Sequence, residues 1–143
     1  VRWGLTKAGP IIDRIVHIFH DHVNLLEDAR KGIALTRALR GIRVDEVVES
    51  LHKLRLSRAR LLEELKALKG VEPLDEGELE DLVALLGYYV EAAYANELAV
   101  LSEAKSLVDV EGDLADLEDL RREAKAVMSI LLGRRADRSS QVF

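Results

Sequence analysis

The chain has 143 residues, a formal net charge of −5, 48% apolar and 33% charged residues, and no cysteine. That is enough chain for one well-buried domain, and it excludes a disulfide framework or a thiolate site. Aromatic residues make up only 4%, and the abundance of Leu, Ala, Glu, Arg and Val favours packed helices over sheets. The acidic balance argues against a general nucleic-acid binder, although Arg37, Arg40, Arg43, Arg55, Arg58 and Arg60 form a local basic run. No apolar stretch approaches the ~20 residues that span a bilayer, which makes the cytoplasm the default location. Few Asn, Gln and Met beside many Arg and Glu suggest a heat-adapted source.

The first predicted helix starts near Gly9-Pro10, where the missing proline N–H costs nothing. Apolar residues follow at 11, 12, 15, 16, 18, 19, 23, 25, 26 and 29, one broad face at about 100° per residue, and Gly41 ends the helix. The second helix opens near Val44 or Asp45, carries Val47, Val48, Leu51, Leu54, Leu61, Leu62, Leu65 and Leu68, and stops at Gly70. Arg58 intrudes on its apolar seam. Asp75 and Glu78 have capping-box spacing and open a third helix that extends to Glu111. Its stripe of Leu79, Leu82, Val83, Leu86, Val90, Ala93, Val100, Leu101, Ala104 and Val108 is interrupted by Glu97. Asp113 is the expected N-cap of a fourth helix with Leu114, Leu117, Leu120, Ala124, Val127, Met128 and Leu131 on its core face. Residues 1–133 thus form one domain, and 134–143 a polar tail. Short connections favour antiparallel neighbours, so the expected fold is an all-α, antiparallel four-helix up-down bundle with long helices. Leu35, Leu39, Leu56 and Leu85 lie off the main stripes and suit self-association, with a homodimer as the expected state.

Metal chemistry finds partial signals. Asp13, His17, His20 and Asp21 share the polar face of the first helix, whereas His22 points between Ile18 and Leu25 into the apolar face, which reads as a hydrogen-bonded core or boundary histidine. A di-metal carboxylate bundle needs two Glu-x-x-His motifs, and only Glu49-Ser50-Leu51-His52 is present. A metal-binding alternative would rest on Glu91, Glu97, His22 and His52 converging. Arg58 and Glu97 each need a partner, because an unpaired ion facing a core costs several kcal/mol. Counting from the turns sets Glu97 level with Arg37 and Arg40 and away from Arg58, so an Arg37/Arg40–Glu97 pair is expected. It would serve as a register-fixing ion pair or as part of a partner site. No nucleophile elbow, Ser/His/Asp signature or phosphate loop stands in the sequence, and neither an enzyme nor a cofactor is expected.

The run through Asp21-His22-Val23, Arg60-Leu61-Leu62-Glu63-Glu64-Leu65, Glu72-Pro73-Leu74-Asp75, Glu78-Leu79-Glu80-Asp81-Leu82 and Leu117-Glu118-Asp119-Leu120-Arg121-Arg122-Glu123-Ala124 resembles the PhoU-like helical-bundle proteins over about residues 10–133. The resemblance implies a regulator of the phosphate-uptake kind. Members of that family often bind metal clusters through acid-x-x-x-acid pairs. The matching position here reads Gly87-Tyr88-Tyr89-Val90-Glu91, and Leu51 to Leu56 hold no acid. The resemblance therefore implies a regulatory or adaptor bundle that has lost the metal. A shorter segment, Tyr94-Ala95-Asn96-Glu97-Leu98-Ala99, resembles archaeal ESCRT-type membrane-remodelling filament proteins, a minor alternative.

Overall fold

A computed structural model describes residues 8–71 and 75–141, with side chains described through Arg134. Every regular element among them is helical: α1 (Gly9–Ala38), α2 (Val44–Lys69), α3 (Glu76–Tyr88), a π turn (Tyr89–Ala93), α4 (Tyr94–Ala104) and α5 (Glu111–Gln141). α3, the π turn and α4 follow one another without a break. α2 packs against α1 and α5. The α3–α4 rod packs against α5 and α1. None of the described helices is long and apolar enough to cross a membrane.

Each helix forms where its apolar spacing closes on a 3.6-residue period. On α2 the buried positions are Val47, Leu51, Leu54, Ser57, Arg58, Leu61, Leu65 and Leu68, in steps of three and four with one adjacent pair. α3 starts at the expected capping box: the Glu78 N–H donates to Asp75 Oδ1 at 2.7 Å and the Asp75 N–H donates to Glu78 Oε1 at 3.0 Å. α1 runs through Gly32 and stops at Ala38, earlier than Gly41. The Gly41 N–H reaches Thr36 O (2.8 Å) and the Arg40 N–H reaches Arg37 O (3.2 Å), so the two bonds of a Schellman stop place Arg40 at φ 56°.

Three expected boundaries are corrected. The third helical rod ends at Ala104, short of Glu111, because the chain turns through Lys105–Val108 with Leu107 and Val108 both donating to Ala104 O. Asp113 is not the N-cap of the last helix: Asp109 Oδ1 accepts the Glu111 N–H at 3.0 Å, and Asp113 lies buried within the first turn of α5. α5 also continues as helix to Gln141, past the start of the expected tail, as its Arg and Ala residues allow.

The core divides in two. One cluster joins Ile12, Ile15, Phe19, Leu61, Leu65, Leu82, Leu86, Tyr89 and Val127. The other joins Ala29, Ile33, Val47, Leu51, Leu54, Leu101 and Leu117. Leu85, expected on a free surface, packs on the first cluster, whereas Leu35, Leu39 and Leu56 remain exposed. Between the clusters in sequence stand His22 on α1, Ser57 and Arg58 on α2 and Glu97 on the α3–α4 rod, while on α5 the buried Asp113 falls inside the second cluster's stretch, between Val110 and Leu117.

Candidate functional site

Those residues are His22, Ser57, Arg58, Glu97 and Asp113, all less than a tenth exposed. Each occupies a step that the helical period reserves for the core. His22 follows Phe19 by three, Arg58 lies between Leu54 and Leu61, Glu97 precedes Val100 and Leu101, and Asp113 lies between Val110 and Leu117. The fold therefore brings four helices' polar intrusions into one belt.

The belt is a continuous chain of contacts. Ser57 Oγ lies 2.8 Å from His22 Nδ1, and His22 Nε2 lies 2.5 Å from Glu97 Oε1. A carboxylate can only accept, so Nε2 carries hydrogen, and in the neutral ring Nδ1 accepts from the Ser57 hydroxyl. The other Glu97 oxygen, Oε2, stands 3.1 Å from Arg58 Nε, an ion pair without hydrogen-bond alignment. Arg58 donates from Nη2 to Asp113 Oδ1 at 2.5 Å and from Nη1 to the Asp113 carbonyl at 3.0 Å. Arg55 completes the chain with a bidentate grip on the same carboxylate, at 2.9 and 2.7 Å. Two carboxylates thus face two guanidinium groups, which offsets the desolvation of each.

Electrostatics follow from this packing. Burial pushes the Asp113 carboxyl up, but its bonds to Arg55 and Arg58 outweigh that and hold it below the ordinary carboxylate range. The same bond raises Arg55. Tyr89 lies over the first cluster with its ring edge-on to Phe19 at 5.4 Å. Its burial, with the nearby Glu97 charge, drives the phenol far above its usual range.

The four metal candidates do not converge. His22 and Glu97 meet, but Glu91 is exposed on the π turn and His52 is exposed on α2. Among the described residues no three His, Asp or Glu side chains form a group that could hold a metal ion. His17 and His20 are exposed, and His17 Nδ1 donates to its own Asp13 carbonyl at 2.8 Å.

The expected Arg37/Arg40–Glu97 pair is corrected: the partners of Glu97 are His22 and Arg58. Arg37 instead donates to the Glu103 carbonyl at 2.6 Å, where a cation complements the negative end of α4. Arg40 is exposed at the end of α1. The count from the turns treats the second helix and the third rod as direct neighbours. Their shared neighbours, α1 and α5, set the offset between them instead. Much of the basic run is also engaged within the fold, since Arg43 pairs with Glu46 and Arg55 and Arg58 with Asp113.

Ser57 and the ion-pairing role of Asp113 are absent from the sequence-based expectation. The spacing of Asp113 from Leu117 and Leu120 marks it as inward-facing, a signal masked by its resemblance to a cap. Ser57 abuts Arg58 on the seam but carries no motif of its own. Two clefts flank α1 at this level. One of about 390 Å³ between α1 and α2 includes Ser57 in its wall, and one of about 310 Å³ between α1 and α4 includes His22. Comparisons with family models, curated proteins and solved structures find no match for this chain.

Proposed function

We propose that this chain is a regulatory or adaptor helical bundle that works by binding a protein surface, with a second copy of itself as the first partner. The observation that carries this is an apolar row gathered at the end of the α1–α2 hairpin. Ile42 in the connecting turn is 80% exposed, and Leu35, Leu39 and Val48 are each more than a third exposed beside it in sequence. Apolar side chains concentrated at one end of a molecule are a surface that association removes from water. The reading retains the PhoU-like resemblance without its acid pairs.

The helices in this reading alternate in direction, as an antiparallel up-down bundle. Paired residue numbers support it: Arg14 meets Glu64 and His22 meets Ser57, falling on one helix as they rise on the other. Gly87 beside Met128 and Tyr94 with Glu118 give the same sense for the α3–α4 rod and α5. His22 with Glu97 and Arg37 with Glu103 rise together, as do Arg55 with Asp113 and Lys69 with Glu123. These pairings support two antiparallel hairpins set side by side in parallel.

Sedimentation velocity over a concentration series tests the association. A dimer in the wild type that becomes a monomer in Ile42→Asp, with helical content unchanged, is the expected result. A wild type that stays monomeric, or a dimer indifferent to Ile42→Asp and Leu39→Asp, would overturn self-association through this row.

A further inference from the structure

A serine inside a helix commonly turns its hydroxyl to the carbonyl four residues back, as Ser102 does to Leu98 O at 2.8 Å and Thr36 to Gly32 O at 2.7 Å. Ser57 meets a histidine ring instead, and that ring is held from its far side by a carboxylate. Hydroxyl, imidazole and carboxylate in this order are the parts of an activated nucleophile: a base within hydrogen-bond reach, itself oriented by a third group. The ring nitrogens are used in the order opposite to that of the serine proteases. The chemistry is unaffected, because the tautomer with hydrogen on Nε2 leaves the Nδ1 lone pair facing Ser57.

The α1–α2 cleft gives this serine a place for a substrate. Ile18, Leu25 and Leu56 supply apolar wall. Lys53 and Arg60, four residues before and three after Ser57, share its side of α2 and line the same cleft. Cationic donors there would oppose the negative charge that develops on a carbonyl oxygen under attack. Asp21 lines the cleft as well, which disfavours an acidic acyl chain.

We propose that Ser57 is a nucleophile activated by His22, with Glu97 as the positioning residue, and that it takes the acyl group of short, uncharged carboxylic esters. This goes beyond the protein-binding role. Ser57 Oγ bonds to the acyl carbon as its proton passes to His22 Nδ1. The tetrahedral oxyanion then collapses, the bond to the leaving alcohol breaks, and the alcohol oxygen takes the proton from Nδ1. Water repeats the sequence on acyl-Ser57, releasing the acid and restoring the hydroxyl. Arg58, 3.1 Å from Glu97, holds the other oxygen of the same carboxylate in place.

The test uses the full chain with p-nitrophenyl acetate and, separately, a fluorophosphonate probe, following p-nitrophenolate release, intact mass and the modified peptide. The expected result is a single adduct on Ser57, absent from Ser57→Ala, and slower by about 10²-fold or more in His22→Gln. Ser57→Ala removes little volume and should keep the wild-type helical signal and melting temperature. If His22→Gln does not fold, the wild type against Ser57→Ala decides: the adduct must lie on Ser57 and be absent from the variant. Adducts confined to Lys or Tyr, equal labelling of Ser57→Ala, or a rate on Ser57 unchanged in folded His22→Gln would each overturn the proposal. None of these outcomes bears on the apolar row, which is read by sedimentation.

Discussion

Leu65 and Arg58 lie two turns apart on the same face of α2, both shielded from water, and they hold neighbouring helices by different means. Leu65 sits among Ile, Leu and Val side chains of the first cluster, where attraction is non-directional and summed over many small contacts. Arg58 binds Asp113 on α5 through two nitrogens and faces Glu97 on α4 with a third. An apolar position accepts any filler of suitable volume, whereas a buried ion is stabilising only while its partners stay in place. The belt thus adds specificity of register to a core whose two apolar clusters could otherwise slide by a turn.

The largest effects come from breaking that contrast directly. Arg58→Ala should cost about 3–5 kcal/mol, since Glu97 loses its cation and Asp113 keeps only Arg55. Leu65→Ala should cost about 2–5 kcal/mol through a cavity. The separation appears in the conservative variants: Leu65→Met should cost less than about 1.5 kcal/mol, while Arg58→Met stays expensive until Glu97→Leu is added, when much of the loss returns. Urea denaturation of the four variants and the double mutant measures this. Equal costs for Arg58→Met and Leu65→Met would mean that the belt is not paired in solution.

The contrast also has a pH axis. Asp113 is held below its unfolded carboxylate value, so its contribution is complete above the unfolded pKa, about 3.9, and is lost as pH falls through the lower folded value. Asp113→Asn should lose about 1.5–3 kcal/mol at neutral pH, the scale of hydrogen bonds to a charged group. Its stability should then decline less steeply than that of the wild type on the acid side. Denaturation midpoints between neutrality and acid compare the two slopes, and identical slopes would remove Asp113 from the acid response.

The apolar clusters were legible because burial imposes a period on the residues themselves. Leu79, Leu82 and Leu86 announce their face whatever lies opposite, and Asp75 with Glu78 announces the start of α3 through purely local bonds. His22, Arg58 and Glu97 were legible as intruders for the same reason. Their pairing was not, because a partner is a property of the offset between helices. A rod that stops at Ala104, a π turn at Tyr89–Ala93 and a second helix packed mainly on α1 and α5 all alter that offset without marking any single residue. Ser57 is the limiting case: on a seam of leucines a small hydroxyl has no signature until a histidine from another helix stands against it.

The smallest effect sharpens the contrast from outside the belt. Arg40 has φ 56° at the position after the α1 cap where glycine is the usual residue, and a side chain in that left-handed conformation costs roughly 1–2 kcal/mol. Replacing it with glycine relieves the strain but loosens the unfolded chain, so Arg40→Gly should gain about 1 kcal/mol or somewhat less. The sign is the informative part. Were Arg40 the partner of Glu97, its removal would strand a buried carboxylate and destabilise the protein by several kcal/mol. With Glu97 held by His22 and Arg58 instead, the denaturation midpoint of Arg40→Gly should rise, and a fall would return Arg40 to the core ion pair.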